Sequence, residues 1–141
     1  MEPGGAFNAV TRTVTLVGDQ PQTLSGNPLV FYNLTINKTN RNVVVTSVGK
    51  LKVTKKLTVR SGTLISASDY ADIEVFDDGV MMLTNGITIG GDLIVSGTLT
   101  TNDHPITFDG GIGQSELVTQ SIFLSATTSF GDINVFTKTL L

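Results

Sequence analysis

Gly49-Lys50-Leu51-Lys52-Val53-Thr54-Lys55-Lys56-Leu57-Thr58-Val59-Arg60-Ser61-Gly62-Thr63-Leu64 and Asn85-Gly86-Ile87-Thr88-Ile89-Gly90-Gly91-Asp92-Leu93-Ile94-Val95-Ser96-Gly97-Thr98-Leu99 are two copies of one pattern, aligned by a single-residue gap beside Ser61. Each copy reads aliphatic, polar, aliphatic, three turn residues, the same again, and then Ser-Gly-Thr-Leu. Apolar residues at i and i+2 point to one face of a strand. Leu51/Val53, Leu57/Val59, Ile87/Ile89 and Leu93/Val95 obey that rule, although Ile94 is also apolar. Strands this short need neighbours, and a strand-and-corner unit that recurs in fixed order is what a stacked coil requires.

Related pairs run through the chain: Val14/Leu16, Leu34/Ile36, Val43/Val45, Ile73/Val75, Ile106/Phe108, Ile122/Leu124 and Ile133/Val135. The copies are offset by 36 residues, which is two coils of roughly 18 each. The expected fold is therefore all-β, a right-handed parallel β-helix (β-solenoid) of about five to six coils, on the order of 25–30 Å long. Its interior column is expected to hold Leu34, Ile36, Val43, Val45, Leu51, Val53, Leu57, Val59, Leu64, Ile87, Ile89, Leu93, Val95 and Leu99. The stretch from Ser66 to Asp72 lacks the alternation and reads as an insertion. An antiparallel β-sandwich is the alternative, with Asn85-Gly86 and Asp109-Gly110 as hairpin signals, but it does not explain blocks recurring in the same order with the same ending.

The 141 residues fit one domain, with 1–10 expected as an N-terminal cap and 109–141, where Gly110-Gly111-Ile112-Gly113 breaks the rhythm, as less regular terminal coils or a cap. Phe7, Val10, Phe130, Phe136, Leu140 and Leu141 are the apolar residues available to cover the ends. Charged residues make up only 15%, so Thr, Ser and Asn must supply the polar surface. A net charge of −3 argues against a nucleic-acid partner, which needs a basic stripe. With no cysteine, disulfides, thiolate metal sites and a Cys nucleophile are excluded. No window approaches eighteen apolar residues, so no membrane insertion is expected, and the first residues carry no export signal.

The segment from Thr11 to Leu64 holds Gln22-Thr23-Leu24-Ser25-Gly26, Phe31-Tyr32-Asn33-Leu34-Thr35-Ile36-Asn37, Val43-Val44-Val45, Leu57-Thr58-Val59 and Ser61-Gly62-Thr63-Leu64. It resembles the repeat of very large bacterial cell-surface and secreted proteins, of the adhesin and autotransporter-passenger kind. The resemblance covers about fifty residues and implies a parallel β-helix at the cell surface or outside the cell, much more than any chemistry.

Candidate chemistry is sparse. His104, the single histidine, sits before Pro105 in a polar turn, where decorating a corner is a better reading than acting as a general base. Asp69, Asp72, Asp77 and Asp78, with Glu74, are oxygen ligands of the kind calcium takes, but their spacing matches neither an EF-hand loop nor the Gly-Gly-x-Gly-x-Asp nonapeptide, and a solvated acidic corner is the plainer expectation. Lys50, Lys52, Lys55, Lys56 and Arg60 lie one coil earlier, so stacking should bring Lys55 or Lys56 within about 8 Å of an acid in 72–78. Gly90-Gly91 and Gly110–Gly113 lack the ending of a phosphate loop and read as turns. Thr11 to Thr15 and Thr98 to Thr101 are too scattered for the flat threonine array of an ice-binding solenoid. Asn33-Leu34-Thr35 and Asn37-Lys38-Thr39 match the glycosylation pattern, which in a bacterial protein usually means nothing; asparagine at a repeated corner can instead stack in a hydrogen-bonded ladder.

The expected function is a non-catalytic structural or adhesive module that contacts other domains, surface glycans or copies of itself. No cofactor is expected beyond a weak place for calcium. The alternatives are a self-assembling fibre subunit and a carbohydrate-binding or polysaccharide-degrading β-helix. For the last, the absence of Trp and the presence of only Tyr32 and Tyr70 leave few sugar platforms.

Overall fold

The structure, a computed structural model, describes residues 8–108 together with the backbone of strands at 122–124, 128–129 and 133–135. The strands are β1 (Asn8–Gly18), β2 (Gln22–Lys38), β3 (Val44–Ser66), β4 (Ser68–Leu83), β5 (Ile87–Ile89), β6 (Leu93–Val95), β7 (Thr98–Thr100), β8 (Ile106–Phe108), β9 (Ile122–Leu124), β10 (Thr128–Ser129) and β11 (Ile133–Val135). Every ladder among the described residues is parallel. There is no helix among them, and the chain is a β-solenoid of about five turns. The antiparallel sandwich is thereby set aside: Asn85-Gly86 closes a corner rather than a hairpin, its flanking strands β4 and β5 pairing parallel.

Three stacked columns make the sides. In the first, Val14, Leu34, Leu57, Ile73, Leu93 and Ile122 lie one over another, with Leu16, Ile36, Val59, Val75, Val95 and Leu124 two residues on. The second stacks Leu64, Met81, Leu99 and Thr128. The third runs Phe31, Val53, Tyr70, Ile89, Phe108 and Val135. Steps along the first column from Val14 to Leu93 are 20, 23, 16 and 20 residues. The two quoted sequence copies are two coils apart: Leu57 and Leu93 both pair with Ile73, and Leu64 and Leu99 with Met81.

All the aliphatics expected in the interior are buried, Val43 being the most exposed at 7%. Removing each from water is worth about 1.5–3 kcal/mol. The residues facing outward in the first column, Thr15, Thr35 and Thr58, form a three-coil threonine stack that continues as Glu74 and Ile94. Asn33 donates to Thr13 Oγ1 at 3.3 Å, and Asn37 stacks between Val17 and Ser61, so neither builds an asparagine ladder.

The stretch Ser66 to Asp72 is no insertion. Ser68, Asp69 and Tyr70 are a third-column strand, in register with Leu51, Lys52 and Val53 below. Its alternation is hidden because two inward places carry hydroxyls: Ser66 and Tyr70, both buried, share a hydrogen bond of 2.5 Å. Burial raises the Tyr70 pKa, so the phenol stays neutral.

The basic coil does lie against the acidic one. Lys52 pairs with Asp69 and Lys56 with Asp72 in register, and Lys56 Nζ sits 2.5 Å from Glu74 Oε2. The pair is partly exposed and contributes ~0–1 kcal/mol, enough to disfavour a slipped register but little beside the core.

Phe7, Phe130, Phe136, Leu140 and Leu141, and the side chain of Val10, lie outside what is described. Within the expected N-terminal cap, Asn8 and Ala9 belong to β1 and pair with Val30 and Phe31.

The hydroxyl pair in the core yields a test. Ser66→Ala or Tyr70→Phe alone strands a buried hydroxyl or its space and should lower stability by about 1–3 kcal/mol in urea denaturation. The double variant should cost less than the sum of the singles, because no polar group is then left unpartnered.

Candidate functional site

The corner between the first and second columns changes length from coil to coil. One residue, Val17, separates Leu16 from Gly18, and one, Asn37, separates Ile36 from Lys38. Arg60 and Ser61 separate Val59 from Gly62; Phe76, Asp77 and Asp78 separate Val75 from Gly79; Ser96 alone separates Val95 from Gly97. The extra residues bulge outward, because the columns on either side keep their pairing: Val59 with Val75 and Gly62 with Gly79. Extra residues in a ladder re-aim side chains without breaking the sheet.

The bulge bounds a cleft of about 520 Å³ lined by Asn37, Arg60, Ser61, Phe76, Asp77, Asp78 and Ser96. Asn37, Ser61 and Asp78 stack in register from three successive coils. The Arg60 guanidinium lies 4.7 Å from the centroid of the Phe76 ring, a cation-π contact that holds both side chains along the wall. Asp77 and Asp78 are exposed, and among the described residues neither takes part in an ion pair. The glycine under the bulge is needed for close approach: a side chain on Gly79 would lie 2.3 Å from the Val59 carbonyl oxygen. A carboxamide, a guanidinium, two carboxylates and two hydroxyls on one open wall can hydrogen-bond a polar ligand.

The acidic residues that are neighbours in sequence are thus divided. Asp77 and Asp78 line the cleft. Asp72 belongs to another corner, where its Oδ1 accepts the backbone N–H of Asp92 at 2.9 Å and closes the Gly90-Gly91-Asp92 turn. Asp69 faces outward in the third column beside Lys52 and Thr88. This corrects the single acidic corner expected from sequence. A segment of ten residues crosses more than one corner, and among the described residues no three Asp, Glu or His gather as metal ligands.

His104 lies at yet another corner, just past Asn102 and Asp103, which have φ of +51° and +62°. Its backbone N–H donates to the Thr101 carbonyl at 3.0 Å, and the Asn102 amide donates to the Leu83 carbonyl of the previous coil at 2.9 Å. The turn is bound into the stack, away from the cleft.

Asn37, Ser61, Phe76 and Ser96 were not evident as site residues. The one sequence signal for them is the alignment gap beside Ser61, which marks where corner length varies.

A second opening, about 530 Å³ and apolar, lies at the first coil and is lined by Val14, Leu16, Gln22, Thr23, Leu24, Leu29 and Phe31. Val14, Leu16 and Leu24 are only half-buried there, whereas Leu34 and Ile36, one coil further in, are fully buried.

Comparison with known proteins finds no matching family model, no matching curated protein and no matching solved structure.

Proposed function

We propose that the chain is a non-catalytic structural or adhesive module of an extracellular bacterial surface protein, a stiff spacer whose sides are contact surfaces. The observation that carries this reading is the unbroken first column from Val14 to Ile122. A single coil-on-coil contact repeated along an axis gives a rod whose length is set by the number of coils and whose bending would open every ladder on one side. Thr15, Thr35 and Thr58 offer a flat polar strip, and the cleft at Asp77 and Asp78 offers a place for a polar group of a glycan or protein. The likeness of Thr11 to Leu64 to repeats of large bacterial surface proteins supports the location.

A depolymerisation assay separates this reading from the enzymatic one. Acidic polysaccharides with and without calcium should give no turnover. Turnover that disappears in the Asp77→Asn/Asp78→Asn variant would replace the structural role with a catalytic one.

The half-buried Val14, Leu16 and Leu24 around the apolar opening favour a second reading, end-to-end stacking of copies into a fibre. Light scattering of the purified chain across a concentration series should give a constant monomer mass for a spacer. Mass rising with concentration, and falling again in a Leu16→Glu variant, would favour the fibre.

A further inference from the structure

One position at the corner between the first and second columns is glycine on four coils and lysine on one. Gly18 pairs with Lys38, and Gly62 pairs with Gly79. A side chain on Gly97 would meet the Gly79 carbonyl oxygen at 2.4 Å, and one on Gly62 would meet Lys38 Cβ at 2.9 Å. The stack is therefore Gly18, Lys38, Gly62, Gly79 and Gly97. Glycine suits it at 62, 79 and 97 because each packs directly on the neighbouring corner, and Gly18 and Gly62 have φ of +94° and +104°.

Lys38 departs from this pattern and is almost wholly buried, at 3% exposure. Gly62, lacking a side chain, leaves room for its aliphatic stem. The ammonium reaches back to the first coil and donates to three acceptors: the Val17 carbonyl at 2.8 Å, the Gln20 carbonyl at 3.1 Å and Gln22 Oε1. An ammonium has three donors, so all are used, and they offset the cost of removing the charge from water. That cost lowers the Lys38 pKa from its ordinary value, while Asp19 pulls it back up.

The strand so held is bonded along one edge only. Among the described residues β1 pairs only with β2, and its inward Val14 and Leu16 are half-buried. A strand paired along one edge opens more readily than one paired along both.

We infer that Lys38 is a latch: it ties the turn at 17–22 to the second coil, so that one side chain governs whether the first coil is closed or open. Opening would uncover the edge of β2 along 33–38, with Leu34 and Ile36 behind it, which is the surface a further coil would stack upon. The latch accounts for the one lysine in the glycine stack, which falls on the coil that pairs with the first described one.

Hydrogen exchange followed by mass spectrometry tests this on the full chain as wild type, Lys38→Met and Lys38→Gly. Methionine keeps the stem without the donors; glycine restores the residue that the other coils carry. Both should speed exchange of amides in 13–24 by about tenfold or more, leaving those of 57–59, 73–75 and 93–95 at the wild-type rate. Unchanged exchange in 13–24 in Lys38→Met, or an equal rise in all coils, would overturn the latch. Should Lys38→Gly fail to fold, Lys38→Met decides alone.

Discussion

A strand of three residues has no independent existence in water, and β6 is such a strand. Leu93–Val95 persists because its backbone is bonded to Ile73–Val75 on one side and to Ile122–Leu124 on the other. This ladder between successive coils is what the rest of the structure depends on. It fixes which side chains point inward, because parallel pairing in register keeps Leu57 over Leu34 and under Ile73 instead of allowing it to swing outward. Once inward residues are stacked, their burial supplies most of the stability and the sides are left free to vary.

The corners are where that freedom is used. Between the columns the chain can place one, two or three residues, provided it returns to the ladder in register. Where it spends three, at Phe76, Asp77 and Asp78, the surplus becomes the wall of a cleft; where it spends one, at Ser96, the coil stays tight. Glycine at the column position lets both lengths pack against their neighbours. Lys38 uses the space beside such a glycine for another purpose, carrying a charge to the Val17 and Gln20 carbonyls of the preceding coil. The regular sides and the cleft thus come from one rule, constant ladders joined by variable corners.

Much of this was legible in the residues. The alternation in Leu51/Val53, Leu57/Val59, Ile87/Ile89 and Leu93/Val95 identified the inward set, and the 36-residue offset did correspond to two coils. The approach of Lys56 to Glu74 also followed from counting one coil along the chain. What escaped has physical reasons. One side of the intervening coil was hidden, although its Ile73/Val75 pair was not, because Ser66 and Tyr70 satisfy each other's hydroxyls inside the core and a true strand showed no aliphatic alternation. Coil lengths from 16 to 23 residues could not be read from a period, because corners absorb the difference. The carboxylates looked like one cluster because proximity along the chain stands in poorly for proximity around a prism. The latch was invisible, since nothing about Lys38 in sequence tells that its neighbour across the ladder is glycine.

The most direct test of the stacked column is nuclear Overhauser contact between methyl groups in a sample labelled at Leu, Ile and Val. The account predicts that Leu57 methyls contact those of both Leu34 and Ile73, and that Ile73 contacts Leu93, with no strong Hα–Hα contacts between their strands. Absence of those methyl contacts, together with the close Hα–Hα pairs of antiparallel neighbours, would contradict it.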